Sequence, residues 1–198
     1  MVLVILMYTI KNNITDELVV KNSKFITILH KITTADEVNK VISEVKEAYP
    51  NATHYCYGYI TEDSQKCSDD GEPSGTAGIP ILKVLESNQL TNLLCIVVRY
   101  FGGIKLGANG LIRAYAKSVS NAIKEATLTE LKDGVNIEIA FPYSRIKEVD
   151  YLLKESKIND KTFANEIVYN IDIENSFIEV IKNNHLNYHI IKNIKIEK

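Results

Sequence analysis

The chain has 198 residues, 45% hydrophobic and 24% charged, the composition of an ordinary globular protein long enough for one large domain or two small ones. Its net charge of −2 excludes a protein that coats nucleic acid by bulk charge, because phosphate contacts need a basic surface, but leaves room for a local basic patch. Cys56, Cys67 and Cys95 are odd in number and lack a CxxC pair or a neighbouring ligand cluster, so reduced thiols in a cytoplasmic protein are expected, with no metal and no cofactor.

The opening MVLVILMYTI is shorter than the ~20 apolar residues that span a bilayer and lacks the basic start of a signal peptide. It reads as an edge strand, or as an extension ahead of a second start at Met7, and no membrane association is expected. Strands are predicted over 8–11 and 17–29. Thr34 and Glu37 then stand at capping-box spacing. Val38, Val41, Ile42 and Val45 follow at helical period, and Pro50 ends the run. THYCYGYI (53–60) reads as a strand, 61–76 as a loop, and 77–87 as a short helix with a strand as the alternative. LLCIVVRY (93–100) is apolar without a break up to Arg99, the pattern of a central strand buried on both faces. After the glycine loop FGGIKLGANG, residues Leu111, Ile112, Tyr115, Ala116, Val119, Ala122 and Ile123 mark an amphipathic helix. Lys132-Asp133-Gly134 is a turn signal and the expected boundary between domains 1–132 and 133–198. Beyond it the predicted order is strand 135–141, helix 142–156, strands near 160–164 and 165–174, helix 175–184 and strand 188–196. This βαββαβ order is the ferredoxin-like arrangement, and the whole chain reads as α+β.

Two stretches carry candidate chemistry. In SDDGEPSGTAGIP (68–80), the carboxylates of Asp69, Asp70 and Glu72 could hold Mg²⁺ or work as acid and base. The plainer reading is a structural loop, with a tight turn at Asp70-Gly71 and Ser74 or Thr76 capping the next helix. In RYFGGIKLGANGLIR (99–113), Gly102, Gly103, Gly107 and Gly110 let backbone N–H groups approach a ligand, and a helix N-terminus behind them favours anions. Arg99, Lys105, Arg113, Lys117 and Lys124 supply positive charge, with no acid between residues 99 and 124. The spacing matches neither GxxxxGK[ST] nor GxGxxG, and the alternative is a turn that packs the helix closely on the sheet. His54 is another candidate, more simply a hydrogen-bonded structural residue than a base. Cys56 and Cys95 sit in apolar strands as inert core thiols, while Cys67 lies in the loop.

SKFIT (23–27), THYCYGY (53–59), SDDGEPSGTAGIPIL (68–82) and residues 90–119 (LTNLLCIVVRYFGGIKLGANGLIRAYAKSV) resemble the IMPACT/YigZ family. Asn109 departs from the glycine expected in many bacterial members, at a site where Asn tolerates left-handed geometry. The resemblance implies an N-terminal domain like the second domain of small-subunit ribosomal protein five and domain IV of elongation factor G. That is a four-stranded sheet with helices on one face and a left-handed crossover. It implies a ferredoxin-like C-terminal domain similar to domain V of the same factor. Both of those relatives touch ribosomal RNA. Eukaryotic members regulate translation in amino-acid starvation by binding the activator of a kinase, and carry an extra N-terminal domain for which 198 residues are expected to leave no room.

Three functional readings follow. The first is a non-enzymatic, translation-linked protein that binds RNA, the ribosome or a translation-linked protein through Arg99, Gly102, Gly103, Lys105, Gly107, Arg113 and Lys117. In it Asp69, Asp70, Gly71, Glu72, Ser74 and Thr76 form a family signature loop whose acids pair with Arg99 or Lys105. The second is a small-molecule phosphate binder or Mg²⁺-dependent enzyme using both loops. The third is a protein-interaction module with an open apolar sheet face.

Overall fold

The computed structural model describes residues 6–198, so the reading of residues 1–5 lies outside it. The chain is α+β and divides into two compact units, 1–130 and 131–198.

The first unit contains β1 (Met7–Ile10), β2 (Ile14–Val20), β3 (Ser23–Lys31), α1 (Glu37–Ala48), β4 (His54–Ile60), β5 (Gln65–Ser68), α2 (Gly78–Ser87), β6 (Leu93–Tyr100) and α3 (Ala108–Glu125). Its sheet runs β2-β3-β6-β4-β5, with every neighbouring pair antiparallel. β6 is central and fully buried until its last residue. Its side chains alternate between two cores. Leu93, Cys95 and Val97 face α2 and α3, where Phe25, Ile81, Leu85, Tyr115 and Val119 pack. Leu94, Ile96 and Val98 face α1, where Ile26, Ile28, Val38, Val41 and Val45 pack. Two expectations change here: the sheet has five strands rather than four, and helices cover both faces rather than one. An unbroken apolar strand requires cover on both sides, so the second layer follows from β6 itself.

Three local readings also change. The 17–29 strand is a hairpin, β2 and β3 joined at Lys21 and Asn22, which both take positive φ (46° and 65°) as a two-residue hairpin turn demands. The 61–76 loop contains β5, an edge strand paired to β4. On α3 the buried stripe is Leu111, Ala114, Tyr115, Ser118, Val119, Ala122 and Ile123, while Ile112 points to solvent.

The second unit follows the order β7 (Leu128–Phe141, in this unit from Leu131 onward), α4 (Ile146–Leu152), β8 (Lys157–Phe163), β9 (Ile167–Glu174), α5 (Ile178–Asn183) and β10 (Asn187–Glu197), with a 3-10 turn before each helix. Its antiparallel strands lie in the order β8-β9-β7-β10. Val135, Ile137, Ile139 and Phe141 of β7 and Ile167, Tyr169, Ile171 and Ile173 of β9 pack against Val149, Leu153 and Ile181. Lys132-Asp133-Gly134 is not a turn but lies inside β7. Gly134 is there for space: a Cβ would fall 2.4 Å from Ile196 Cδ1 and 2.7 Å from the Ile173 carbonyl oxygen. Among the described residues no helix is long and apolar enough to cross a membrane.

Candidate functional site

The acidic loop turns inward. Asp70 (φ 42°) and Gly71 (φ 84°) make the turn, and the next side chain, Glu72, enters the protein. Glu72 Oε1 accepts from Arg99 Nη1 at 2.5 Å and from the Tyr115 hydroxyl at 2.8 Å. The Glu72 and Arg99 side chains are 3% and 6% exposed, so this is a buried ion pair bridging the loop, β6 and α3. The guanidinium sits between two rings, 5.4 Å from the Phe25 centroid and 5.6 Å from that of Phe101. Its Nη2 donates to Ser23 Oγ at 3.4 Å.

Each remaining acid of the loop also has protein donors. Asp69 Oδ1 accepts from the N–H groups of Ala77 (2.9 Å) and Gly78 (2.8 Å), and Oδ2 from that of Gly75 (2.8 Å). Burial pushes its carboxyl up, yet the three N–H bonds outweigh this and hold it below the usual carboxylate range. Asp69 therefore caps α2, the role expected of Ser74 or Thr76. Ser74 is exposed, and the Thr76 hydroxyl donates instead to the Pro73 carbonyl at 2.6 Å. Asp70 Oδ2 accepts from the Tyr55 N–H at 2.6 Å. His54 Nδ1–H donates to the Asp70 carbonyl at 2.8 Å, and its Nε2 faces Glu72 Oε2 at 3.8 Å. A Mg²⁺ ion in this loop would have to displace these donors one by one.

Two thiols lie on the inner side. Cys56 Sγ sits 3.0 Å from the Asp69 carbonyl oxygen and 3.3 Å from the Tyr115 hydroxyl. Burial pushes the Cys56 thiol up to about 12 and raises the Cys95 thiol as well, so neither is a nucleophile at neutral pH.

The glycine loop leaves β6 beside the β2–β3 turn. The Phe101 N–H donates to Thr53 Oγ1 (3.0 Å) and the Gly102 N–H to Ser23 Oγ (3.2 Å). Gly102 lies against the backbone of Asn22, where a Cβ would fall 2.0 Å from the Asn22 carbonyl carbon. Gly107 (φ 71°) is the residue from which α3 starts. Beyond this pinned base, Gly103 and Lys105 are exposed, as are Arg113 and Lys117 on the first turns of α3. A shallow cavity of about 240 Å³ lies between Val20, Lys21, Leu106, Gly110, Arg113 and Lys117.

The structure thus separates residues expected together. Lys105, Arg113 and Lys117 are exposed, and Arg113 and Lys117 border the shallow cavity together with Lys21. Arg99 does not join them, because its guanidinium is buried and neutralised by Glu72. Lys105 has no acidic partner among the described residues, so Arg99 alone receives the loop's charge. Sequence reasoning missed Lys21, hidden in an unrecognised turn, and the supporting residues Ser23, Thr53 and Tyr115. Tyr115 carried a signal: a tyrosine on the buried stripe of a helix needs a partner for its hydroxyl.

The model of the Impact N-terminal domain matches residues 21–123, more than half of the chain and nearly all of the surface just described. The chain belongs to the IMPACT family. IMPACT family member YvyE of Bacillus subtilis is 39% identical over 170 residues, covering 84% of this chain and 76% of that protein. IMPACT family member YigZ of Escherichia coli is 33% identical over 139 residues, 68% of each. Protein IMPACT of Homo sapiens is 34% identical over 95 residues, 44% of this chain and 29% of that protein. A crystal structure of a hypothetical protein superposes with a TM-score of 0.70 at 25% identity, covering 94% of this chain and 98% of that one.

Proposed function

We propose that this IMPACT family chain is a non-enzymatic, translation-associated cytoplasmic protein that binds RNA or the ribosome through α3 and the loop before it. One observation carries the reading. Lys21, Lys105, Arg113, Lys117 and Lys124 have no ion-pair partner among the described residues, and no acid interrupts 99–124. Elsewhere the lysines are mixed: Lys24, Lys132, Lys157, Lys161, Lys182 and Lys195 are each paired with a carboxylate, and Lys11, Lys66, Lys83, Lys147 and Lys192 have no such pair among the described residues, so it is the acid-free run that sets this segment apart. In a chain of net charge −2 this is segregation of positive charge, the footprint of a phosphate backbone. Arg113, Lys117 and Lys124 fall within about 16 Å along one helix at 1.5 Å per residue.

The family resemblance supports the translation link. The βαββαβ order and the β8-β9-β7-β10 sheet support a ferredoxin-like second unit, as in domain V of elongation factor G. The first unit is less close to domain IV, given its fifth strand and the helix layer on each face. Fold kinship adds little to function by itself. The enzymatic alternative needs Asp69, Asp70 and Glu72 free for Mg²⁺, and all three are engaged by protein donors.

Co-sedimentation with ribosomes and free subunits across a salt series tests the reading. Binding should fall steeply with salt. Lys105→Ala combined with Arg113→Ala should weaken it and lower the log–log salt slope by about two, one per lost phosphate contact. Absence of binding at low salt, or an unchanged slope in the double variant, overturns the reading.

A further inference from the structure

We propose that Phe101 is a stacking platform for one unpaired base, making the surface selective for single-stranded over double-stranded RNA; this rests on the RNA reading above. Phe101 is 46% exposed and is the one exposed aromatic side chain among the described residues of the first unit. The backbone that carries this ring is pinned, and one side of the ring is backed by a buried side chain. The Phe101 N–H is held by Thr53 Oγ1, and the next residue, Gly102, is held by Ser23 Oγ and packed on the Asn22 backbone. The Arg99 guanidinium backs the ring at 5.6 Å, and Glu72 with Ser23 fixes that guanidinium in turn.

The ring is therefore presented ready for contact, at little further ordering cost, which is what a stacking site requires. Charge complementarity identifies the occupant. Lys105 is four residues away, within about 14 Å of chain, and Arg113 and Lys117 begin the basic face of α3. A nucleic-acid strand supplies both an anionic backbone for these cations and a π face for the ring. A duplex hides its base faces in its own stack, so only an unpaired or terminal base can use Phe101. The acidic signature loop thereby gains a role at the surface, since Glu72 acts there through Arg99 as a positioning residue.

The chain contains no tryptophan, so Phe101→Trp creates a lone fluorescent reporter at the platform. A single-stranded RNA oligomer should quench its emission and bind it at least as tightly as wild type. Phe101→Leu keeps apolar bulk and loses the π face. It should bind the single strand about tenfold more weakly, within the range of one lost base stack, and bind a duplex of the same sequence as wild type does. The proposal is overturned if Phe101→Leu binds the single strand normally, if single strand and duplex weaken equally, or if the tryptophan emission does not change. Salt-sensitive binding by wild type together with an indifferent Phe101→Leu removes the platform alone. Failure of wild type to bind either RNA removes the RNA reading and the platform with it.

Discussion

Glu72 joins three parts of the first unit through two oxygens, and its removal is the sharpest test of the loop. Glu72→Gln keeps the shape and leaves the Arg99 charge buried without compensation, which should cost about 3–5 kcal/mol in urea unfolding. Adding Arg99→Met should recover part of that loss, since a buried pair is often replaceable by apolar groups, though the Tyr115 hydroxyl would still lack its acceptor. Asp69→Asn keeps one acceptor oxygen where two are used and should cost about 1–2 kcal/mol, as for other helix caps. Its pH dependence has a definite sign. The carboxyl is held below its unfolded value, so its contribution is complete above about pH 4. It is lost as pH falls through the folded value, and the gap between wild type and Asp69→Asn should close in acid. The Glu72–Arg99 partnership was legible in the sequence as a pairing between motifs. That it is buried was not, because nothing in a residue string says which of two arginines at the two ends of one glycine loop, Arg99 or Arg113, turns inward.

β6 and α3 were the most legible elements, each for a single physical reason. An unbroken apolar run needs two covered faces, and an apolar stripe at helical period needs one. What escaped were features set by contact with other elements. The Lys21-Asn22 turn lacks the glycine that usually announces a hairpin, and β5 is too short and polar to be noticed without its partner β4. Gly102 shows the same dependence. Its φ is not in the left-handed region, so its requirement comes from Asn22 across the gap. Gly102→Ala should destabilise by more than about 2 kcal/mol, as a clash with backbone that cannot swing aside. Gly103→Ala, in open space at φ 84°, should cost only the left-handed strain of about 1–2 kcal/mol. Comparing the two by thermal unfolding separates close approach from backbone strain.

At the scale of the whole chain, the two units have separate cores, so unfolding need not be a single transition. Gly134→Ala intrudes on Ile196 and the Ile173 carbonyl, both in the second unit. Hydrogen exchange should then show lost protection within 131–198, with β3, β6 and α3 protected as before. The sequence placed a boundary after residue 132 by reading Lys132-Asp133-Gly134 as a turn, whereas the contacts divide after 130 and the glycine serves β-sheet packing. Composition told nothing of where charge resides, because a net value near zero is silent about segregation.

The β2–β3 turn has the outward marks of a site that accepts insertions: short, polar and at the surface. Its backbone, however, is the surface on which Gly102 rests, and Lys21 borders the basic cleft. An epitope tag or a new chain terminus introduced there would lift the glycine loop off its seat. The exposed link at 164–166 between β8 and β9 supports only the exposed Tyr143 hydroxyl, which donates to the Ala164 carbonyl at 3.0 Å, and is the better place for engineered insertions and labels.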